Sequence, residues 1–213
     1  MQKSKIHFLV INLLLLCVIN ACVSANVVKD FTSTPITKTI IEVPYFSNSE
    51  IDYVYKTNIS VYGNEMSGIF IAKKINESTH RVVFTTEFGN KLFDFEVSES
   101  NFKINSIVPE LDKKYFIITL KRDFRLLLKK QFTVQEQFEN ATQIVCKSED
   151  GNQSNYLFFS KGNNKLFKIV HASNRKEKIS ISFASENNII ANNSIIQHFN
   201  IPLKIELFNI LSR

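Results

Sequence analysis

Residues 81–95 read RVVFTTEFGNKLFDF, and this stretch decides the predicted fold. Two runs rich in β-branched and aromatic residues flank Gly89-Asn90, a dipeptide that favours a tight hairpin turn. A two-residue turn there makes Phe88 face Lys91 and gives the hairpin one apolar face and one more polar face. The apolar face pairs Phe84 with Phe95, Val82 with Val97 and Thr86 with Phe93, and the other face pairs Thr85 with Asp94 and Val83 with Glu96.

The hairpin pattern continues along the chain. Turn residues recur at Gly63-Asn64, Asn76-Glu77-Ser78, Asp150-Gly151-Asn152, Gly162-Asn163-Asn164 and Ser173-Asn174. A turn at Gly63-Asn64 pairs Val61 with Met66 and Thr57 with Phe70, which extends the apolar face. Later strands are predicted at about residues 141–148, 154–161, 165–172, 177–184 and 194–208. The sequence therefore predicts about ten antiparallel strands, whose apolar face must be covered.

A helix predicted over residues 111–130 supplies the cover. Pro109 precedes it, Asp112 is a candidate N-cap, and the period changes to that of a helix. Its apolar side carries Phe116, Leu120, Phe124, Leu127 and Leu128. Its basic residues are Lys121, Arg122, Arg125, Lys129 and Lys130, which are either a solvated face that suits the helix C-terminus or a patch for anionic lipid or an acidic partner. The interior between sheet and helix is either a packed core or a hydrophobic cavity.

The N-terminus has the pattern of a secretory signal peptide. Lys3 and Lys5 precede the apolar run 6–19, which is too short to favour a permanent transmembrane helix. Ile19-Asn20-Ala21-Cys22 resembles a bacterial lipobox, so residues 1–21 are expected to be removed and Cys22 acylated; ordinary cleavage after Ala25 is the alternative. Residues 22–50 are predicted to be a lipidated tether, with 40–43 as an edge strand, and 51–213 the domain.

Nothing in the sequence predicts catalysis. His80, His171 and His198 fall on three different predicted strands with no metal-ligand spacing, so no metal or cofactor is expected. Asp94 and Glu96 share a strand face, but no burial signal in the sequence indicates a raised pKa for either carboxylate, as general acid–base catalysis would need. Cys146 lies in an apolar run and is expected to be buried. The net charge of +6 falls to +4 without Lys3 and Lys5, and no nucleic-acid motif accompanies it.

Three segments resemble the LolA/LolB lipoprotein-carrier family: 55–62 (YKTNISVY), 67–74 (SGIFIAKK) and, most closely, 81–95. The similarity covers residues 55–105, and Glu87 stands where the family usually has a proline. The resemblance implies an α+β, mainly β domain in which one antiparallel sheet forms an unclosed barrel lidded by the helix near 111–130. It also implies that acyl chains of a lipoprotein or another lipid bind inside. The implied acyl cavity is lined by Ile59, Val61, Phe70, Val82, Phe84, Phe93, Phe95, Phe116, Leu120 and Phe124.

The resemblance also implies a membrane contact at the hairpin tip. Phe88-Gly89 corresponds to an apolar-Gly pair whose apolar residue dips into the bilayer, with Lys91 placed for a head-group phosphate. The alternative is that Phe88 folds back onto Phe93 or the helix. Residues 23–26 carry no acidic side chain beside Cys22, which predicts the outer membrane with the domain facing the periplasm.

The resemblance thus implies a monomeric outer-membrane lipoprotein, either a LolB-like acceptor that takes lipoproteins from a soluble periplasmic carrier or a carrier of another acylated molecule. The protein is not expected to bind nucleic acid or to be an enzyme. The alternative is a structural or assembly lipoprotein that holds an envelope protein through its sheet edge or basic helix face.

Overall fold

The computed structural model describes residues 27–210, which form fifteen strands and one helix. The strands are β1 (Thr32–Thr34), β2 (Ile40–Glu42), β3 (Asp52–Val61), β4 (Asn64–Lys74), β5 (His80–Thr85), β6 (Lys91–Val97), β7 (Phe102–Ile107), β8 (Gln131–Thr133), β9 (Glu136–Glu139), β10 (Gln143–Asp150), β11 (Gln153–Ser160), β12 (Leu166–Ser173), β13 (Lys176–Ala184), β14 (Asn193–His198) and β15 (Leu203–Asn209). The helix is α1 (Lys114–Leu127).

Thirteen of these strands form one antiparallel sheet in the order β1-β9-β10-β11-β12-β13-β14-β15-β3-β4-β5-β6-β7. The pairing of β15 with β3 joins two meanders, and the sheet ends at β1 and β7 without closing. One core cluster contains residues from β3 to β6, β10 to β15 and α1, so the sheet wraps around the helix. The predicted fold class, a mainly β, unclosed antiparallel sheet covered by a helix, is confirmed.

Helix α1 lies against the inner face of the sheet through the apolar side that the sequence predicts. Phe116, Leu120, Phe124 and Leu127 are all buried, and Leu128 is buried just beyond the helix. The expected N-cap is wrong: the cap is Lys113, which makes no side-chain capping bond. Asp112 instead belongs to a turn whose backbone N–H groups bond to the carbonyl of Val108. No helix in the described part of the chain is long and apolar enough to cross a membrane.

The two tested hairpin registers are each wrong by two residues. In β3–β4, Val61 pairs with Asn64 because the turn residues are Tyr62 and Gly63, both with positive φ, rather than Gly63-Asn64. In β5–β6, Phe84 pairs with Phe93 and Val82 with Phe95, because a five-residue loop, Thr86–Asn90, replaces the two-residue turn. A shift of two residues keeps every side chain on its face, so the predicted apolar face is preserved.

Several predicted strand boundaries also need correction. The strand expected over 194–208 is two strands, β14 and β15, joined by a hairpin at residues 199–202. The short strands β1, β2, β8 and β9 were not all foreseen, because three or four residues show no usable alternation. Ile40–Val43 contributes β2, which pairs with β8 in a separate two-stranded sheet rather than at the edge of the main sheet.

The described part of the expected tether, residues 27–50, is packed onto the domain. Val43, Tyr45 and Phe46 are buried in the main core, and β1 pairs with β9. Val28 is buried in a second cluster on the outer face of the sheet, where Phe31 makes an edge contact with Phe158, 6.1 Å between ring centroids. This corrects the tether prediction, since a segment without periodicity can still anchor itself through a few large apolar side chains.

Candidate functional site

The residues predicted to line an acyl cavity are together on the inner face of the sheet and on α1. All are buried except Val61, which is half-buried against the same core. The Phe124 ring packs between those of Phe70 (5.5 Å between centroids) and Phe93 (6.0 Å), and Phe93 stacks on Phe95 at 4.6 Å. Of the two interiors that the sequence allowed, the described structure has the packed core. The apolar surface is present, and α1 covers it.

A buried carboxyl–imidazole hydrogen bond also fastens α1 to the sheet. Asp123 lies on the buried side of the helix, and its Oδ2 is 2.8 Å from Nε2 of His198 on β14, with both side chains fully buried. Burial raises the pKa of Asp123, and the bond to His198 opposes that rise. Asp123 Oδ1 and His198 Nδ1 have no hydrogen-bond partner. Sequence reasoning missed this pair, although an acid three residues after Leu120 in an apolar stripe is its signal.

The other two predicted histidines have separate structural roles. His171 Nδ1 bonds to Asn155 Oδ1 at 2.9 Å, and His80 Nε2 lies 2.7 Å from the carbonyl oxygen of Phe46. Burial lowers the pKa of both imidazoles. Within residues 27–210, no three His, Cys, Asp or Glu side chains are grouped to hold a metal ion. Cys146 is buried as predicted.

Two clefts flank the second half of α1. The first, of about 480 Å³, is lined by Tyr45, Phe46, Val97 and Leu128, among others, and the second, of about 540 Å³, lies toward β11 and β12. Arg125 and Lys129 line both. Arg125 Nε donates to the carbonyl oxygen of Ser98 at 2.9 Å, and Lys129 pairs with Glu99 at 3.7 Å. The basic residues of α1 therefore border clefts beside the core rather than a uniform solvated face.

Asp94 belongs to an ion-pair network on the outer face of the sheet. Arg81 donates two bonds to its carboxylate, at 2.9 and 2.6 Å, and Lys91 Nζ lies 3.0 Å away. The hydrogen bonds from Arg81 are the main cause that holds the pKa of Asp94 well below its usual range. The predicted membrane-contact residue Lys91 is thus paired with Asp94. Glu96, its neighbour on this face, pairs with Lys103 at 3.2 Å.

Phe88 projects from the β5–β6 loop and is 94% exposed. Gly89 follows it with φ +85° and donates its N–H to the carbonyl of Thr86 at 3.0 Å, which shapes the tip. The alternative in which Phe88 packs on Phe93 or the helix is therefore wrong. Two other hairpins at the same end of the sheet also expose an aromatic side chain at their tips, Tyr62 and Phe199.

An unclosed antiparallel sheet wrapped around one helix, with an apolar inner face, defines a LolA/LolB-like fold. Among solved structures, the chain is similar to a LolA superfamily protein from Nitrosomonas europaea, with a TM-score of 0.51 and 8% identity over 78% of this chain and 87% of that one. It also matches a DUF1329 family protein from Desulfovibrio piger with a TM-score of 0.40 and 7% identity, over 76% of this chain and 87% of that one. The first similarity confirms the fold expected from the resemblance. No protein-family model and no curated protein matches the sequence.

Proposed function

We propose that this protein is a lipid-anchored, LolB-like acceptor that binds the acyl chains of a lipid or lipoprotein cargo under α1 and delivers them to the outer membrane. The observation that carries the proposal is the inner face of the sheet, a continuous apolar surface covered by a single helix. The function involves no catalysed reaction. A soluble periplasmic carrier is its expected donor.

The energetics favour exchange of α1 for an acyl chain. The helix buries five apolar side chains: Phe116, Leu120, Phe124, Leu126 and Leu127. At about 2 kcal/mol each, they contribute roughly 10 kcal/mol that would be lost when α1 lifts. Burying a sixteen-carbon chain returns about 12 kcal/mol. The two quantities are similar, so binding can be reversible, as delivery requires.

The core itself offers a direct test, because the chain has no tryptophan. Phe93→Trp places a single reporter under α1, and Phe158→Trp places the same reporter on the outer face of the sheet. We expect brominated fatty acid to quench the tryptophan of Phe93→Trp and to leave that of Phe158→Trp unquenched. Equal quenching of both variants, or of neither, would contradict acyl binding under α1. Mass spectrometry of the full chain purified from membranes would identify bound acyl species.

The anchor is a separate part of the proposal. Cys22 lies outside the described residues, and its acylation is proposed from the lipobox pattern alone. Cys22→Ala is expected to move the protein from the outer-membrane fraction to the soluble periplasmic fraction. Cys146→Ala is the matched control, because this buried thiol should not affect membrane attachment. Retention of the Cys22→Ala protein in the membrane would refute the lipid anchor.

A second candidate function is a non-enzymatic assembly lipoprotein, and the edge strand β7 favours it. Within residues 27–210, no strand pairs with the edge of β7 that faces away from β6, and residues 103–106 are exposed. Such an edge can accept a strand from a partner. Ile104→Pro should abolish cross-linking to an envelope partner if this function is correct, while Ile118→Ala, at an exposed position of α1, should leave cross-linking intact. Cross-linking that persists in the Ile104→Pro variant would contradict strand addition at β7.

A further inference from the structure

The cleft between α1 and strands β11 and β12, called here the basic cleft, has the size and charge of a ligand site. Its volume of about 540 Å³ lies within the range of roughly 300–1,000 Å³ that is typical of small-molecule sites. Three cationic side chains of α1 and a fourth just beyond its C-terminal end line it, against two carboxylates, Glu99 and Asp150. The four cations are Lys121, Arg122, Arg125 and Lys129. This excess of positive charge favours an anionic ligand.

Two of these cations retain binding capacity. Lys129 is paired with Glu99, and Arg125 Nε is bonded to Ser98. Lys121 has no carboxylate within 4 Å in the described part of the chain, and its Nζ lies 5.8 Å from the ring centroid of Phe102. Arg122 approaches Asp123 only at 3.9 Å, and its Nε is buried without a hydrogen-bond partner. A guanidinium fork with unused donors matches the oxygens of a phosphate group.

The wall opposite Arg122 is rigid and polar. His171 and Asn155 line the cleft, are only 7% and 3% exposed, and are bonded to each other through Nδ1 and Oδ1 at 2.9 Å. That bond fixes the imidazole ring, and no residue in the range 27–210 bonds to its Nε2. With Nδ1 donating to Asn155, Nε2 accepts a hydrogen bond. The wall therefore suits a hydroxyl or amine donor close to the anion.

We infer that the basic cleft binds a phosphate ester that also carries a hydroxyl or amine donor, as the head group of the lipid held under α1. This inference rests on the proposed function. Its geometric basis is Leu126, which lines the cleft and also belongs to the core that α1 covers. Leu126 therefore places the cleft directly beside the apolar surface that an acyl chain would occupy.

Calorimetric titration of the full chain with three probes tests the inference. Dihexanoylphosphatidylglycerol carries chains and phosphate, dihexanoylglycerol carries chains alone, and glycerol phosphate carries phosphate alone. The variant K121Q/R122Q removes two charges from the cleft. The matched control K56Q/K73Q removes two charges from lysines that form exposed ion pairs elsewhere on the sheet. The single variant K121Q leaves the Arg122–Asp123 contact intact. It replaces K121Q/R122Q in the titrations if the double variant has a lower melting temperature than the wild type.

We expect phosphatidylglycerol to bind more tightly than dihexanoylglycerol, and K121Q/R122Q to weaken phosphatidylglycerol at least about tenfold while K56Q/K73Q does not. Equal binding of the two chain-bearing probes, or no effect of the cleft variants, would overturn the inference and leave acyl binding standing. If glycerol phosphate binds, the cleft variants weaken that binding, and neither chain-bearing probe binds, the cleft is a site for a free phosphate ester and the proposed carrier function is contradicted.

Discussion

The variant Phe124→Ala tests whether α1 is a lid that an acyl chain can displace or a permanent part of the core. Phe124 is 2% exposed and packs on Phe70 and Phe93, so its truncation should lower the free energy of unfolding by about 3–5 kcal/mol. The same truncation makes α1 easier to lift, because the wild-type helix must expose this ring before a chain can replace it. A saving of about 2 kcal/mol in opening corresponds to roughly a twenty- to thirtyfold gain in acyl affinity.

Phe158→Ala is the matched control for this experiment. Phe158 is 7% exposed but lies on the outer face of the sheet, where it contacts Phe31 and Phe167 and not α1. It should also lose stability, with no gain in acyl affinity. Chemical denaturation gives the stability of both variants, and fluorescent fatty-acid titration gives their affinities. If Phe124→Ala weakens acyl binding, or if both variants strengthen it equally, the chain does not compete with α1 and the lid reasoning fails.

Three further predictions follow from single residues. Phe88→Glu should change the free energy of unfolding by less than about 0.5 kcal/mol, because the side chain is exposed, yet reduce co-sedimentation with anionic vesicles; a large fall in melting temperature would exclude a role limited to the membrane. Asp94→Asn should cost about 2 kcal/mol at pH 7, measured by denaturation. Because the folded pKa of Asp94 is lowered, its contribution is present above about pH 4 and is lost at lower pH, so variant and wild type should converge as acid is added; a constant gap would contradict this. Gly68→Ala should severely reduce the yield of folded protein, because the added Cβ would lie 2.1 Å from the carbonyl oxygen of Thr85, whereas Gly162→Ala should be tolerated.

The faces of the sheet were predictable from the sequence, and the register was not. Alternation assigns Val82, Phe84, Phe93 and Phe95 to one side whatever the turn, since any even shift preserves that side. The register of the β3–β4 hairpin depends instead on whether Tyr62 adopts positive φ. That conformation costs a non-glycine residue free energy, and tertiary contacts impose it. No local pattern encodes that choice.

The candidate site was predictable in part for a similar reason. The apolar stripe of α1 identified Phe116, Leu120 and Phe124, because helical period alone brings them to one side. The His198 partner of Asp123 could not be foreseen, since the two residues are 75 positions apart and meet only after the second meander folds back onto α1. The basic cleft has the same origin: its cations are local to α1, while His171 and Asn155 come from distant strands.

The docking of Val28 on the outer face of the sheet limits how far the domain can travel from its anchor. Five residues lie between Cys22 and Val28, and an extended chain connecting the two spans at most about 20 Å. With Cys22 acylated, this short tether would keep the domain from diffusing away from the bilayer, and its local concentration at the bilayer surface would be in the millimolar range. Weak insertion of a single side chain such as Phe88 would then be sufficient for repeated, short-lived contacts with the membrane. Unloading of a cargo requires contacts of this reversible kind.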